Sequence, residues 1–370
     1  MSTATTTADR VHVVLPGDVD DTTAPSGGNV YDRRVCQGLA AAGRPVRETA
    51  VAGSWPLPGA AARAALAETL AALPDGALVL LDGLVACGVP GLVVPHTRRL
   101  RLAVLVHLPL ADETGLPAER AADLDARERA TLRAAGAVVA TSDWAARRLI
   151  AHHGLDPRRV HVVAPGTDPA PPAPGTDGAS RLLCVASLTP RKGQDLLVTA
   201  LATLVDLPWS CECVGPAGRD APYTARLRRL IEGYGLGDRV RLTGPRTGAE
   251  LTARYAAADL AVLTSRAETY GMVITEALAR GVPVLATAVG AVPGTLGRAP
   301  DGKVPGVLVP PEDPVALAAA LRRWFEDPAL RGRLKASALR RRESLDGWPT
   351  TARHLDEVLR RFGREPWRNT

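Results

Sequence analysis

The chain has 370 residues, of which 46% are hydrophobic and 23% charged, the composition of a soluble globular protein. Its length favours two domains over one, and its net charge of +6 is compatible with an anionic ligand. No arginine-rich run is interleaved with aromatic residues, so nucleic acid is not an expected partner. No apolar run approaches the ~18 to 20 residues that span a bilayer, so integral membrane association is not expected either.

Cysteine usage and the start of the chain favour a cytoplasmic location. The five cysteines are odd in number and scattered through apolar runs, which is typical of buried free thiols in a reducing compartment. The first ten residues, MSTATTTADR, lack the basic and then apolar order of a signal peptide. Only three of the 45 basic residues are lysines, which together with abundant Ala, Gly and Pro indicates a GC-rich, bacterial coding sequence.

Short apolar runs alternate with helical patterns along the whole chain. The first half contains predicted buried strands at 11–16, 77–83, 101–109, 137–142 and 159–166. After a segment rich in Pro and Gly, a second series follows at 181–187, 210–215, 239–244, 260–265 and 283–287. Runs that are apolar on both faces and separated by helices are typical of parallel sheets in doubly wound α/β folds.

The two series predict two Rossmann-like domains that face each other across a central cleft. The predicted N-terminal domain is 1–168, the linker 169–180 and the C-terminal domain 181–345. A last helix is predicted within 346–370, because an apolar stripe with helical spacing runs through it. This helix is either an ordinary terminal helix or one that packs back onto the first domain.

The run ETYGMVITEALARGVPVLAT, residues 268–287, places two glutamates in an otherwise apolar helix and strand. A helix is predicted from about Met272 to Arg280, directly after the strand at 260–265. This junction lies at the carboxyl ends of the strands, where open α/β sheets bind their ligands. The first turn of the helix, from Gly271 through Met272 to Val273, offers backbone N–H groups to an anion such as phosphate.

Glu268 precedes this first helical turn, the candidate anion-binding site, and Glu276 follows it by one turn. Two hydrogen-bond acceptors on either side of a diphosphate suit a nucleoside diphosphate sugar, which has sugar hydroxyls at one end and ribose hydroxyls at the other. The alternative is structural. Glu276 could pair with Arg280 on the helix surface, and Glu268 could be a loop carboxylate near the positive end of the helix.

The longer run ETYGMVITEALARGVPVLATAVGAVP resembles the donor-binding motif of the retaining family-4 glycosyltransferases, which is Glu, seven residues and Glu, almost position by position. The resemblance extends more weakly into the first half of the chain. It implies the GT-B fold and transfer of a hexosyl unit from a nucleotide-sugar. It also implies that Glu268 holds the donor sugar, that Glu276 holds the ribose, and that the amides after Tyr270 meet the diphosphate.

Further positions match the same family. VASLTPRKGQDLLVTAL, residues 185–201, resembles its phosphate-binding segment, so Lys192 is expected to neutralise the leaving diphosphate. The alternative is a lysine at a helix N-terminus with no ligand, where the helix dipole disfavours it. Ser187 stands where the family commonly has arginine. Either Arg191 supplies that charge from the loop or fewer charges hold the diphosphate.

The resemblance also extends to Gly27 and Gly28, which match a Gly-Gly loop near the donor phosphates and the acceptor. His107 matches a histidine near the reacting sugar, and Gly244 with Pro245 matches a segment whose backbone reads the base. The structural alternatives are a plain turn at the two glycines and a histidine that only satisfies its own surroundings. Pro165 and Gly294 depart from the family, which commonly has asparagine and glutamate there.

The implied reaction is a metal-independent, front-face transfer that retains the anomeric configuration. No metal or other cofactor is expected, because the Asp-x-Asp at residues 18–20 lies in a generally acidic loop. A nucleotide-sugar epimerase and a non-catalytic nucleotide-sugar-binding protein are the alternatives. A dehydrogenase is disfavoured because no G-x-G-x-x-G follows an early strand. A small-molecule acceptor is expected, whereas its identity, the donor's base and sugar, and the oligomeric state cannot be read from the sequence.

Overall fold

A computed structural model of the chain describes residues 10–113 and 115–364. The residues 1–9, on which the signal-peptide expectation rests, lie outside those ranges, as does the end of the predicted segment 346–370. Within them the chain forms two units. Unit 1 comprises the chain up to Asp20, residues Gly27–Gly166 and the chain from Trp348, and unit 2 comprises Asp21–Ser26 and Thr167–Gly347.

Unit 1 is built on a six-stranded sheet in which every neighbouring pair is parallel. The strand order is β2-β1-β3-β4-β5-β6. The strands are β1 (Val11–Pro16), β2 (Val46–Val51), β3 (Leu78–Asp82), β4 (Arg101–Val106), β5 (Ala137–Ala140) and β6 (Val160–Val162). The helices between them are α1 (Gly27–Ala41), α2 (Ala60–Ala71), α3 (Gly83–Cys87), α4 (Pro90–Val93), α5 (Ala118–Ala134) and α6 (Asp143–His153).

Unit 2 repeats this design with a second six-stranded parallel sheet in the order β12-β11-β10-β7-β8-β9. The strands are β7 (Arg181–Val185), β8 (Ser210–Val214), β9 (Val240–Gly244), β10 (Leu260–Leu263), β11 (Val284–Thr287) and β12 (Gly306–Val309). The helices are α7 (Gln194–Ala202), α8 (Ala221–Gly233), α9 (Gly248–Ala256), α10 (Met272–Ala279), α11 (Val292–Leu296), α12 (Pro314–Glu326) and α13 (Pro328–Arg342).

The last helix, α14 (Trp348–Arg364), returns to unit 1 and packs on α1. The ring of Trp348 meets Tyr31 edge-on at 6.0 Å between centroids, and Asp356 pairs with Arg44 in a largely buried ion pair. A side chain at Gly38 would come within 2.5 Å of the Cβ of Ala352, so glycine allows the two helices to approach closely.

The doubly wound α/β class and all ten predicted strands are confirmed. Two further strands, β2 and β12, are missing from the prediction, and both lie at a sheet edge. Half of β2 is solvent-exposed and its sequence, VRETAV, is not a buried apolar run. All five cysteines are buried free thiols, as expected. Among the described residues, no helix combines the length and the apolar character needed to cross a bilayer.

The segment predicted as a linker, 169–180, is hydrogen-bonded to unit 2. The Asp259 carboxylate accepts from the backbone N–H and the hydroxyl of Thr176, at 2.8 and 2.6 Å. Lys335 donates to the carbonyl of Ala173 at 3.0 Å. The structure therefore assigns this Pro- and Gly-rich segment to unit 2, and the chain passes between the units on either side of Asp21–Ser26, after Gly166 and before Trp348.

Candidate functional site

The carboxyl ends of β7 and β10 bring the predicted phosphate and sugar residues of unit 2 together. The sheet order reverses between these two paired strands, and doubly wound sheets bind ligands at such a switch point. After β7 the chain forms a 3-10 turn, Pro190–Lys192, which leads into α7. After β10 it passes through Glu268 into α10.

Glu268 is only 5% exposed and is surrounded by donors. Lys192 forms a short ion pair with its Oε1, which also accepts from the Ser265 hydroxyl at 2.8 Å. Arg191 lies 3.9 Å from Oε2. Burial alone would raise the pKa of Glu268, but the charges of Lys192 and Arg191 outweigh it and hold the pKa below its ordinary value. Glu268 is therefore an ionised acceptor held in place by cations.

Glycines fix the backbone around this ion pair. Gly193 has a left-handed φ of 64°, and a Cβ there would overlap the carbonyl oxygen of Thr264. The Thr264 hydroxyl in turn donates to the Gly193 carbonyl at 2.8 Å. A Cβ at Gly290 would overlap the carbonyl oxygen of Glu268, which accepts from the Ala291 N–H at 3.0 Å. These close approaches set the position of Lys192 relative to Glu268.

The chain turns from Glu268 into α10 at Gly271, which caps the helix with a φ of 88°. Met272 and Val273, both half-buried, form its first turn. Tyr270 is half-buried, its carbonyl accepts from the Thr295 hydroxyl at 2.7 Å, and burial raises the pKa of its phenol to about 12. The amides expected to meet a diphosphate thus belong to the first turn of an eight-residue helix.

Glu276 does not form the surface ion pair with Arg280 that was the structural alternative. Its Oε2 accepts from the Tyr255 hydroxyl at 2.8 Å. Arg280 instead donates to the backbone carbonyl of Glu276 at 2.9 Å and lies over the Tyr255 ring. Burial raises the pKa of Glu276 above its ordinary value, although Tyr255 and Arg280 oppose the shift.

Gly244 and Pro245, predicted to read the base, lie at the carboxyl end of β9 and are half-exposed. Gly244 has a φ of 72°, and a Cβ there would meet no other atom within 4 Å. Its carbonyl accepts from the Gly215 N–H at 3.0 Å on the neighbouring strand segment. The positive φ, rather than crowding, accounts for glycine at this position.

The remaining predicted residues lie in unit 1, also at a switch point. The order of that sheet reverses at β1, whose neighbours are β2 and β3. Gly27 and Gly28 begin α1 after β1, and His107 follows β4. A Cβ on Gly28 would lie 3.2 Å from the His107 ring, so the glycine leaves room beside the imidazole.

His107 lies against two carboxylates that the sequence reasoning missed. Its Nε2 is 2.8 Å from Asp32 Oδ1 and 3.4 Å from Asp82 Oδ2. Burial would lower the pKa of His107, but the negative charges of Asp32 and Asp82 outweigh burial and raise it. Burial, followed by the charge of Asp32, raises the pKa of Asp82 to about 8. His107 and Asp82 therefore both have pKa values above their ordinary ones.

Comparisons with known proteins place both halves of the chain in one enzyme family. The model of glycosyltransferase family 4 matches residues 8–171, and that of the group 1 glycosyl transferases matches residues 173–341. The D-inositol 3-phosphate glycosyltransferase 1 of Catenulispora acidiphila is 35% identical over 292 residues, which cover 73% of this chain and 69% of the relative. The chain belongs to glycosyltransferase family 4.

A second relative from the family, the D-inositol 3-phosphate glycosyltransferase of Kineococcus radiotolerans, is 39% identical over 258 residues. The match covers 63% of this chain and spans only 59% of that relative's length. This chain shares its fold with solved structures. Sucrose-phosphate synthase from Thermosynechococcus elongatus superimposes with a TM-score of 0.78 at 24% identity, over 95% of this chain and 98% of that one.

The Anabaena protein HepE in complex with UDP-glucose gives a TM-score of 0.73 at 20% identity, over 95% of this chain and 99% of that one. These likenesses confirm the GT-B fold that the family motif implied.

The family motif did not point to Asp32 and Asp82. Asp82 could have been found, because it is a carboxylate that ends an otherwise apolar buried strand. Asp32, Asp82 and His107 also offer donor atoms within 4.8 Å of one another, so the metal-free reaction stays a prediction.

Proposed function

We propose that the chain is a retaining hexosyltransferase that moves a sugar from a nucleoside diphosphate sugar to a small-molecule acceptor without a metal ion. The observation that carries the proposal is the convergence of Lys192 and Arg191 on the buried carboxylate of Glu268, just before α10. Cations and a helix N-terminus can neutralise a diphosphate, and a carboxylate can accept hydrogen bonds from sugar hydroxyls.

The relatives support the choice of ligands. Both inositol-phosphate relatives are named for a small, polyhydroxylated acceptor, and the HepE structure contains UDP-glucose. Glu276, held by Tyr255, is proposed to bind the ribose, and the half-exposed Gly244 and Pro245 are proposed to face the base.

In the proposed step, the bond between the sugar's anomeric carbon and the diphosphate oxygen breaks, and the diphosphate leaves with the electron pair. The acceptor oxygen bonds to the anomeric carbon from the same face. Its proton passes to the departing phosphate oxygen, so no protein base is required. Lys192 stabilises the charge that grows on the leaving group, and losing one such donor typically costs about 10²–10³ in rate. His107, supported by Asp32 and Asp82, is proposed to contact the sugar.

The first test is calorimetric titration of UDP, GDP and dTDP into the purified protein in EDTA. We expect one of the three nucleotides to bind and Lys192→Ala to weaken its binding by about tenfold or more, because an ion pair with the diphosphate is lost. Lys303→Ala is the matched control, since the side chain of that unit 2 lysine is 65% exposed and its ammonium pairs with the neighbouring Asp301. Unchanged binding by Lys192→Ala, or no binding by wild type, would contradict the donor site.

Turnover distinguishes the proposed transferase from its alternatives. A transferase releases nucleotide only when an acceptor hydroxyl is present, and the product's anomeric proton, followed by NMR, keeps the donor's configuration. A nucleotide-sugar epimerase would convert the donor without an acceptor, and a binding protein would release no nucleotide. Inositol phosphates and free inositol are the first acceptors to supply. An inverted product would contradict the retaining mechanism while leaving the donor site intact.

A further inference from the structure

A second group of metal-ligating side chains lies in unit 1, on α5 and α6, outside the switch-point residues. Asp125 is on α5, and His152 and His153 end α6. Each of the three offers one ligand atom, and these atoms all lie within 4.8 Å of one another. The three residues line a recess of about 340 Å³ between the two helices. Nothing in the proposed transfer reaction uses this group.

His153 has the features of a prepared metal ligand. It is fully buried, and its Nε2 lies 3.1 Å from Glu128 Oε2. The carboxylate orients the ring and places the N–H on Nε2, so the lone pair is on Nδ1. Within the described ranges that buried Nδ1 has no hydrogen-bond partner. Metal-binding histidines commonly donate their second ring N–H to a carboxylate in this way.

His152 and Asp125 complete the donor set at the mouth of the recess. They contact each other through His152 Nε2 and Asp125 Oδ1. The His152 side chain is 45% exposed, so it can turn without disturbing the core. The other Asp125 oxygen accepts from Arg129 at 2.9 Å, which holds the carboxylate in place. One potential ligand atom from each of the three residues thus lies within 4.8 Å of the other two.

The end of α6 contributes to the charge around the recess. Three carboxylates, Asp112, Asp125 and Glu128, are balanced there by three guanidinium groups, those of Arg129, Arg133 and Arg148, and Arg133 donates to the His153 carbonyl at 2.7 Å. Both histidines also lie in the last turn of α6, next to its Gly154 cap. The C-terminal end of a helix bears partial negative charge, which favours a bound cation.

We propose that Asp125, His152 and His153 bind a divalent transition-metal ion of the zinc class, with water in the open coordination position. Two imidazole nitrogens and one carboxylate are a ligand set that zinc, cobalt and nickel accept, whereas calcium and magnesium prefer oxygen ligands alone. The ion would join α5 to α6 and supply the partner that His153 Nδ1 lacks. Its chemical role is structural, and no step of the transfer reaction passes through it.

The test uses chelator-stripped full-length protein without a histidine tag, dialysed against Zn²⁺ and titrated with Co²⁺. We expect one ion per chain and cobalt d–d absorption without a thiolate charge-transfer band, because all five cysteines are buried. His152→Gln and Asp125→Asn should each weaken the affinity by about tenfold or more. The control is His354→Gln, which changes an exposed histidine on α14 and should leave the affinity unchanged.

Three results would overturn the proposal: no Zn²⁺ retained by wild type, a thiolate band in the cobalt spectrum, or equal affinity in wild type and His152→Gln. The circular dichroism spectrum and the melting temperature of metal-free His152→Gln are measured in parallel and should match those of metal-free wild type, which shows that the variant is folded. Thermal unfolding gives a second readout. Zn²⁺ should raise the melting temperature of wild type and not that of the variant, because an ion that binds only the folded state stabilises it.

Discussion

At the scale of single residues, both candidate clusters hold buried ionisable groups whose protonation is set by their neighbours. Glu268 is kept ionised by Lys192 and Arg191. In unit 1 the opposite holds for Asp82. Burial and the charge of Asp32 raise its pKa to about 8, so this carboxyl group is protonated at neutral pH. Perturbed pKa values of this kind are enriched at functional sites because catalysis requires them. The two carboxylates therefore differ in charge at neutral pH.

The first prediction concerns the charge of Glu268. Glu268→Gln keeps the side chain's shape and can still accept from Ser265, but it cannot pair electrostatically with Lys192. We expect kcat for sugar transfer to fall by about 10²–10³, while affinity for the free nucleotide stays close to wild type, since the carboxylate is proposed to hold the sugar. Initial-rate kinetics with calorimetry measure both. Glu250→Gln, a 70% exposed glutamate of unit 2, is the control.

The second prediction is a pH dependence of stability. The folded pKa of Asp82, about 8, lies above its value in an unfolded chain, so folding binds a proton. This group's contribution to the free energy of unfolding is therefore largest below pH ~4 and is lost as the pH rises towards about 8. The raised pKa of His107 acts in the same direction above its ordinary value of 6.5.

Asp82→Asn should remove this dependence while still accepting from the Leu84 N–H. The difference between the two free energies of unfolding, Asp82→Asn minus wild type, should increase by at most ~1.4 kcal/mol per pH unit across that window. Urea titrations at several pH values measure it. Asp75→Asn, an 82% exposed carboxylate, should show the wild-type pH profile. Parallel profiles for Asp82→Asn and wild type would refute the buried, protonated carboxyl.

At the scale of secondary-structure elements, the loops after the strands are positioned by backbone contacts as well as by side chains. The loop after β11 approaches the loop after β10 at Gly290, and the turn before α7 approaches β10 at Gly193. Each approach leaves no room for a Cβ. The site's geometry thus depends on three loops from strands that are neighbours in one sheet.

Gly290→Ala should show this dependence. Its φ of 53° and the overlap of the new Cβ with the Glu268 carbonyl both oppose alanine. Gly302→Ala is the matched control, because its φ of 80° is also left-handed but a Cβ there has no neighbour within 4 Å. In the control, the free energy of unfolding should fall only by the ~1–2 kcal/mol that a left-handed backbone conformation costs a residue with a Cβ.

Gly290→Ala should lose more stability than Gly302→Ala and should also raise KM for the donor, because the backbone of Glu268 must move. Urea unfolding and donor kinetics measure the two effects. Equal stability losses, or an unchanged KM, would mean that the close approach at Gly290 does not position Glu268.

The secondary-structure elements differ in how well the sequence predicts them. Central strands such as β3 are buried along their whole length, so their apolar runs are unambiguous. The edge strand β2 is not, because one side of it has no neighbouring strand and three of its six side chains are polar. The pairing of Lys192 with Glu268 joins residues from two crossovers, so only the family motif could indicate it. Asp32 and Asp82 match no motif and meet His107 only through the topology of the sheet.

At the scale of the whole molecule, each unit has its own sheet and its own hydrophobic core. Unit 1 also requires α14, which the chain supplies last. Proteins of two such units commonly unfold in more than one step. We expect scanning calorimetry to resolve two transitions. The nucleotide should raise the one that belongs to unit 2, since a ligand stabilises the unit that binds it.

Gly38→Val tests the packing of α14 on α1. A branched side chain cannot fit at 2.5 Å from the Cβ of Ala352, and overpacking of this kind typically costs about 1–3 kcal/mol. We expect only the transition that the nucleotide does not shift to move to lower temperature. Ala40→Val, on the exposed face of the same helix, should leave both transitions in place. A shift of the nucleotide-responsive transition by Gly38→Val would contradict the assignment of α14 to unit 1.

The return of α14 to unit 1 also sets an order of events during synthesis. About 180 residues separate Gly166 from Trp348, and at ~5–20 residues per second a ribosome takes on the order of ten to forty seconds to make them. Throughout that time the nascent unit 1 presents Tyr31 and Gly38 of α1 without the helix that covers them. The later-synthesised unit 2 can therefore reach its native fold before α14 completes unit 1.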